Sequence, residues 1–199
     1  MARVDHRTTD ELVAALDTLR ASPADQGLVE LIVRRPDIDA REVLTQAELS
    51  IEDGMVGDTW RSRGSRHTPD GSAEPERQLT IMNARAIALF AGADRTGWAE
   101  AGDQLYIDID LSDGNLPAGS RLQLGTAIVE VTEKPHTGCA KFAERFGMDV
   151  ARFVNSADGE ELHLRGINAR VIRAGTVSSG DMVTKVSKVT DATEVSAAS

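Results

Sequence analysis

Leu105-Tyr106-Ile107-Asp108-Ile109-Asp110-Leu111 alternates apolar and polar side chains throughout its length. A period of two sends successive side chains to opposite faces, so this stretch predicts a half-buried β-strand. Its aspartates are then solvent-face residues, although Asp108 and Asp110 could be mistaken for a metal pair. Towards the C-terminus, strands are expected at 121–124, 127–133, roughly 162–173 and 181–187. Gly175-Thr176-Val177-Ser178-Ser179-Gly180-Asp181 reads as the turn joining the last two. Towards the N-terminus, Leu28–Val33 is a strand closing before Pro36, and 41–50 contains a second of ambiguous period. Gln78–Met82 is a short strand running into a helix, Asn83–Phe90, with Asn83 as N-cap. Thr8 and Glu11 form a capping-box pattern ahead of Leu12, Leu16 and Leu19 at helical spacing, with Val13 widening the face, which predicts one amphipathic helix over 9–20.

Many strands, few helices and no regular strand–helix–strand alternation predict a mainly β fold with short helices, a barrel or sandwich-like core, plus an N-terminal helix. The expected organisation is a helical extension over 1–26, a β-barrel domain over 27–189 and a disordered tail over 190–199. With only 4% aromatic residues, the core rests on Val, Ile, Leu and Ala. One cysteine among 199 residues excludes an internal disulfide and suits a reducing compartment. No apolar run approaches the length of a membrane span and Met1 opens onto charged residues, so a cytoplasmic protein with no membrane contact is expected. A net charge of −10 argues against nucleic acid as a partner.

The one cysteine lies in Lys134-Pro135-His136-Thr137-Gly138-Cys139-Ala140-Lys141-Phe142-Ala143-Glu144-Arg145-Phe146-Gly147. A strand ends at the Pro135 breaker, the thiol sits in a Gly-containing turn, and two helical pieces punctuated by Gly147 follow over 140–155. His136, Lys141 and Arg145 surround the sulfur with groups that favour thiolate over thiol. A thiolate attacks, carries sulfur or binds a soft metal; the bland alternative is a small buried hydrophobe. Arginines cluster in the irregular 61–77 stretch (Arg61, Arg63, Arg66) and again at Arg165, Arg170 and Arg173. In an acidic chain such clusters hold a small anion or pair with surface carboxylates.

These residues resemble the MOSC domain family, named for the C-terminal domain of molybdenum cofactor sulfurases. Gly54-x-x-Gly57-Asp58, the lone Cys139 followed by Lys141-Phe142 and Gly147, and Arg165-Gly166-Ile167-Asn168-Ala169-Arg170-Val171 before Gly175 and Gly180-Asp181 occur in the family's order. With Asp103-Gln104-Leu105 and Leu116-Pro117-x-Gly119, the likeness spans about residues 28–187. It implies a β-barrel and binding of the molybdenum cofactor, a pterin carrying a phosphate and a dithiolene. It makes Cys139 the molybdenum ligand or a persulfide carrier, with His136 and Lys141 tuning the thiol or moving a proton. It places Arg61, Arg63, Arg66, Arg165, Asn168 and Arg170 around the cofactor. Asp58 and Asp181 follow glycines and read as turn formers. Pyridoxal phosphate, which fused sulfurases carry on another domain, is not expected on this chain.

Two jobs follow from the resemblance: reduction of small N-hydroxylated compounds, or handling of cofactor sulfur. Each needs a small-molecule substrate and a separate electron or sulfur donor protein, since one cysteine cannot hold an iron–sulfur cluster. The alternative is a non-catalytic small-molecule-binding or interaction module on the same fold.

Overall fold

Seven strands close into a ring because the last, β11 (Met182–Val186), pairs back onto the first, β1 (Gln26–Arg34). The computed structural model describes residues 6–186, so the expected tail over 190–199 lies outside the described residues. Around the ring from β1 come β6 (Leu105–Ile107), β5 (Leu79–Asn83), β9 (Ile167–Arg173), β8 (Ala127–Val131), β7 (Arg121–Leu124) and β11. Every pairing is antiparallel except β5 with β6. Parallel neighbours need a crossover, and the chain supplies it with α4 (Ala84–Ala91) and a 3-10 segment, Arg95–Ala101. Asn83 caps α4 as expected, accepting from the backbone N–H groups of Arg85 and Ala86.

Outside the ring, β2 (Glu42–Leu44) adds to β1. A three-stranded sheet forms from β10 (Gly175–Ser178), β3 (Gln46–Ser50) and β4 (Gly54–Met55). Ala47, Leu49, Met55 and Val177 of that sheet join the barrel's own core. Residues 175–178, read from their glycine and serines as turn, are thus a strand that pairs with β3; a partner 130 positions upstream leaves no trace in local spacing.

The alternating stretch at 105–111 needs a larger correction. Only Leu105–Ile107 is strand, and all three side chains are buried, not one face. Leu105 and Ile107 point into the barrel core, while Tyr106 enters a second core built by helices on the outer face. Its hydroxyl donates to the Trp98 carbonyl at 2.7 Å. Asp108 pairs with Arg85 at 2.7 Å and Asp110 accepts from the Ser112 N–H at 2.9 Å, so neither is held for a metal.

That second core gathers Leu12, Leu19, Phe90, Phe142, Phe146 and Val150 around Tyr106. The N-terminal helix contributes as two pieces, α1 (Thr9–Ala14) and α2 (Leu16–Arg20), broken at Ala15, with the Thr8–Glu11 capping box in place. Val13 faces solvent rather than widening the buried face. After β8 come α5 (Ala140–Phe146) and α6 (Met148–Val154), divided at Gly147 as expected. A further helix, α7 (Ala157–Glu161), leads into the turn before β9, whose first residue is 167 rather than 162.

Candidate functional site

Between β8 and α5 the chain crosses the barrel as a strap, Lys134–Cys139, whose backbone is pinned from two sides. Asn168 donates its Nδ2 to the carbonyls of Lys134 and Pro135 at 3.0 and 3.3 Å. Asn155 takes the Gly138 N–H on Oδ1 at 2.9 Å and returns a bond to the Gly138 carbonyl at 3.3 Å. Gly138 must be glycine for this approach: a Cβ there would sit 2.9 Å from Val154 Cγ2. Cys139 follows as the N-cap residue of α5, with its side chain exposed.

The thiol opens into a cleft of about 600 Å3, within the usual range for small-ligand sites. Five cationic side chains line the same cleft: Arg35, Arg41, Arg63, Lys141 and Arg145. For a chain of net charge −10 this is a strong local reversal. Arg35 is fully held. Asp58, brought round by Gly57 at φ +81, accepts from its Nε and Nη2 at 2.9 and 2.8 Å, and the Gly102 carbonyl takes Nη1 at 3.1 Å. Asp58 is therefore a turn former, as read, and also the buried counter-ion of Arg35.

Arg41 is not held in this way. Its Nη1 donates to the adjacent Ala40 carbonyl at 2.6 Å, but its Nε is buried with no partner among the described residues. The Arg41 guanidinium is pushed below its ordinary range by burial first, then by repulsion from Arg145 and Arg35. Arg63 is depressed for the same reasons, burial and then Arg35. Crowded cations with an unsatisfied buried N–H are the arrangement that a bound anion relieves. Asp39 supplies part of that charge at the rim. It pairs with Lys141 at 3.1 Å, which holds its carboxyl below the usual range, and lies 3.9 Å from Arg145.

Of the residues singled out in the sequence, Cys139, Lys141 and Arg63 share this cleft. The others do not. Arg61 turns away to Asp53 and Glu52, Arg66 is exposed outside the cleft, and Arg170 pairs with Glu130 on the barrel's outer surface at 2.6 Å. Arg165 is buried against Asp103 at 2.6 Å, donates to the Ala101 carbonyl and stacks 4.6 Å over Phe142. Its charge is consumed in the wall behind the thiol. His136 also points into that wall, its Nδ1 3.5 Å from Asp103. Burial first, and then Arg165, lowers its pKa to about 3. A neutral ring lends no positive charge to the sulfur, which corrects the expected tuning role. His136 and Asn168 line a different cleft on the strap's other side.

Arg35, Arg41 and Asn155 were missed as site residues, and Arg145 was noted only as a neighbour of the sulfur. Their signal was weak: Arg34-Arg35 before Pro36 marks a strand end, and nothing local links it to residue 139. Among the described residues no three His, Cys, Asp or Glu side chains converge on one point. No helix there is long and apolar enough to cross a membrane.

A sequence model of the MOSC domain matches residues 68–184, more than half of the chain. No curated protein matches. Several solved structures share the fold. One is the YuaD protein of Bacillus subtilis, at 16% identity and TM-score 0.58, covering 79% of this chain and 94% of that one. Another is YiiM of Escherichia coli, at 19% identity and TM-score 0.52, covering 82% and 72%.

Proposed function

Since the chain belongs to the MOSC domain family, which is associated with the molybdenum cofactor, we propose that it binds that cofactor in the cationic cleft, with Cys139 as the protein's ligand to the metal. The observation that carries this reading is the meeting of one exposed thiol with Arg41, whose buried Nε has no partner among the described residues, in a cleft lined by five cations. The donor set fits the group. A single thiolate suits a soft metal that already brings dithiolene sulfurs of its own, and a phosphate suits arginines through paired N–H···O bonds.

When bound, the cofactor supplies two-electron redox chemistry at the metal. The chain's own residues do the rest. Arg41 and Arg63 take the anionic end, Arg35 holds its place through Asp58, and Lys141 offers charge at the rim once Asp39 moves aside, beside Arg145, which Glu100 holds in place. The strap, pinned by Asn155 and Asn168, fixes where the sulfur stands. Reduction of small N-hydroxylated compounds, with electrons from a separate donor protein, is the activity that the family resemblance favours. Persulfide transfer is the second reading, and the exposure of Cys139 favours it, because a sulfur carrier must be reached by a partner.

The test is molybdenum and pterin analysis of protein purified from a molybdenum-replete host, beside Cys139→Ala and Arg41→Met. Stoichiometric metal and pterin, lost in Cys139→Ala and reduced in Arg41→Met, supports the reading. Full retention in Cys139→Ala removes the thiol from the metal. A mass gain of one sulfur atom on Cys139 without molybdenum selects the carrier.

A further inference from the structure

The tip of the hairpin between β1 and β2, residues 37–40, forms part of the wall of the Cys139 cleft through Asp37, Ile38 and Asp39. Little ties it down. Its turn is closed locally, by the Ala40 N–H to the Asp37 carbonyl at 3.1 Å and the Ile38 N–H to Asp37 Oδ1 at 2.7 Å. Ile38 is 83% exposed, so the tip's one large apolar side chain is no anchor. Among the described residues, the tip's polar ties beyond Arg41 all come from the Asp39 carboxylate. It accepts from Lys141 at 3.1 Å and lies 3.9 Å from Arg145.

The backbone at Asp39 is a second, independent observation. Its φ is +57, in the left-handed region that favours glycine. Aspartate tolerates that geometry and adds a carboxylate, which here enters a cleft crowded with cations. Lys141 and Asp39 are 67% and 61% exposed, so water screens their pair and a multiply charged anion can replace it.

We infer that Asp39 is an internal anion gate: its carboxylate holds the Lys141 edge of the cleft until a phosphate-bearing ligand displaces it and frees residues 37–40. The gate deepens the function proposed above and rests on that reading only in that the cleft takes an anion; it requires neither molybdenum nor a bond to Cys139. Its consequence is selectivity. An anion making a single contact must compete with Asp39, whereas a ligand that also engages Arg41 and Arg63 outcompetes it.

The experiment titrates inorganic pyrophosphate against alkylation of the full chain by iodoacetamide, in which the Cys139 sulfur bonds to the reagent's methylene carbon and iodide leaves. With one cysteine in the chain, the rate reports on this cleft alone. Asp39→Asn, whose amide keeps the left-handed turn without the charge, should lower the half-protecting concentration about fivefold. Asp37→Asn removes an equal charge from the same tip, one with no ion-pair partner among the described residues, and should change that concentration less than about twofold. In the parent, pyrophosphate should quicken hydrogen exchange at the Ile38 and Ala40 amides. Equal half-protection in Asp39→Asn and the parent, an equal gain in Asp37→Asn, slower exchange at the tip on binding, or no protection in any variant by about 10 mM would each overturn the gate. Metal and pterin content, measured separately, decides the cofactor reading: the gate falls alone if that content stands, and survives if pyrophosphate protects as expected without it.

Discussion

The two clefts share one wall and oppose each other in charge. On the Cys139 side, arginines outnumber their counter-ions and Arg41 keeps a buried N–H unspent. On the Asn168 side, the exposed carboxylates of Asp113, Glu133 and Glu160 have no ion-pair partner among the described residues. Between them stands a buried cluster, Asp103, Arg165 and His136, in which one carboxylate serves the guanidinium and leaves the imidazole neutral. The difference teaches that the sign of a site in this fold is set by which cations are consumed internally. Arg165 and Arg35 are spent on Asp103 and Asp58, whereas Arg41 and Arg63 are left to the cleft.

The dividing wall is where the comparison breaks most easily. Arg165→Ala leaves the Asp103 carboxylate buried and unpaired, and should cost about 3–5 kcal/mol in urea unfolding, with both clefts disturbed together. His136 gives the next effect. Its folded pKa, about 3, lies below the unfolded value near 6.5, so the unfolded chain binds the proton more readily between those values. The stability that the neutral ring contributes is complete above pH 6.5 and is lost as the pH falls towards 3. His136→Gln should therefore lose about 2 kcal/mol less stability than the parent between pH 7 and pH 5, measured by paired unfolding curves. An equal pH slope in both proteins would show that the ring is not held neutral.

Asn155→Ala sharpens the comparison by loosening the strap at its thiol end alone. It should cost about 1 kcal/mol and speed hydrogen exchange at the Gly138 amide, while leaving the Asn168 bonds to Lys134 and Pro135 intact. The smallest effect separates arginines inside the cleft from those outside. Arg61→Ala, which breaks only exposed pairs with Asp53 and Glu52, should shift stability by less than about 0.5 kcal/mol and leave cofactor content unchanged. Arg63→Ala should lower that content.

Much of the fold was legible because it depends on local rules. The Thr8–Glu11 capping box, the Asn83 cap, the Gly147 break and the strand at 127–131 are all written in neighbouring residues. The failures have a shared cause. Residues 175–178 look like a turn until β3 arrives to pair with them, and Tyr106 looks half-exposed until helices from three parts of the chain cover it. For the site, Cys139 and Lys141 were found because they lie in one short motif. Arg165 and Arg170 were over-read, because sequence shows that a guanidinium is present but not whether a carboxylate has already claimed it.

By itself, then, the sequence determined the mainly β class, the helix starts, the family likeness and the turn that carries the one thiol, since each rests on contacts between residues a few positions apart. Only the tertiary structure decided which charges remain unspent. Arg35 meets Asp58, Arg165 meets Asp103 and Asn155 meets Gly138 across turns and barrel closure. Electrostatic pairing follows distance in space, and closing the ring sets that distance.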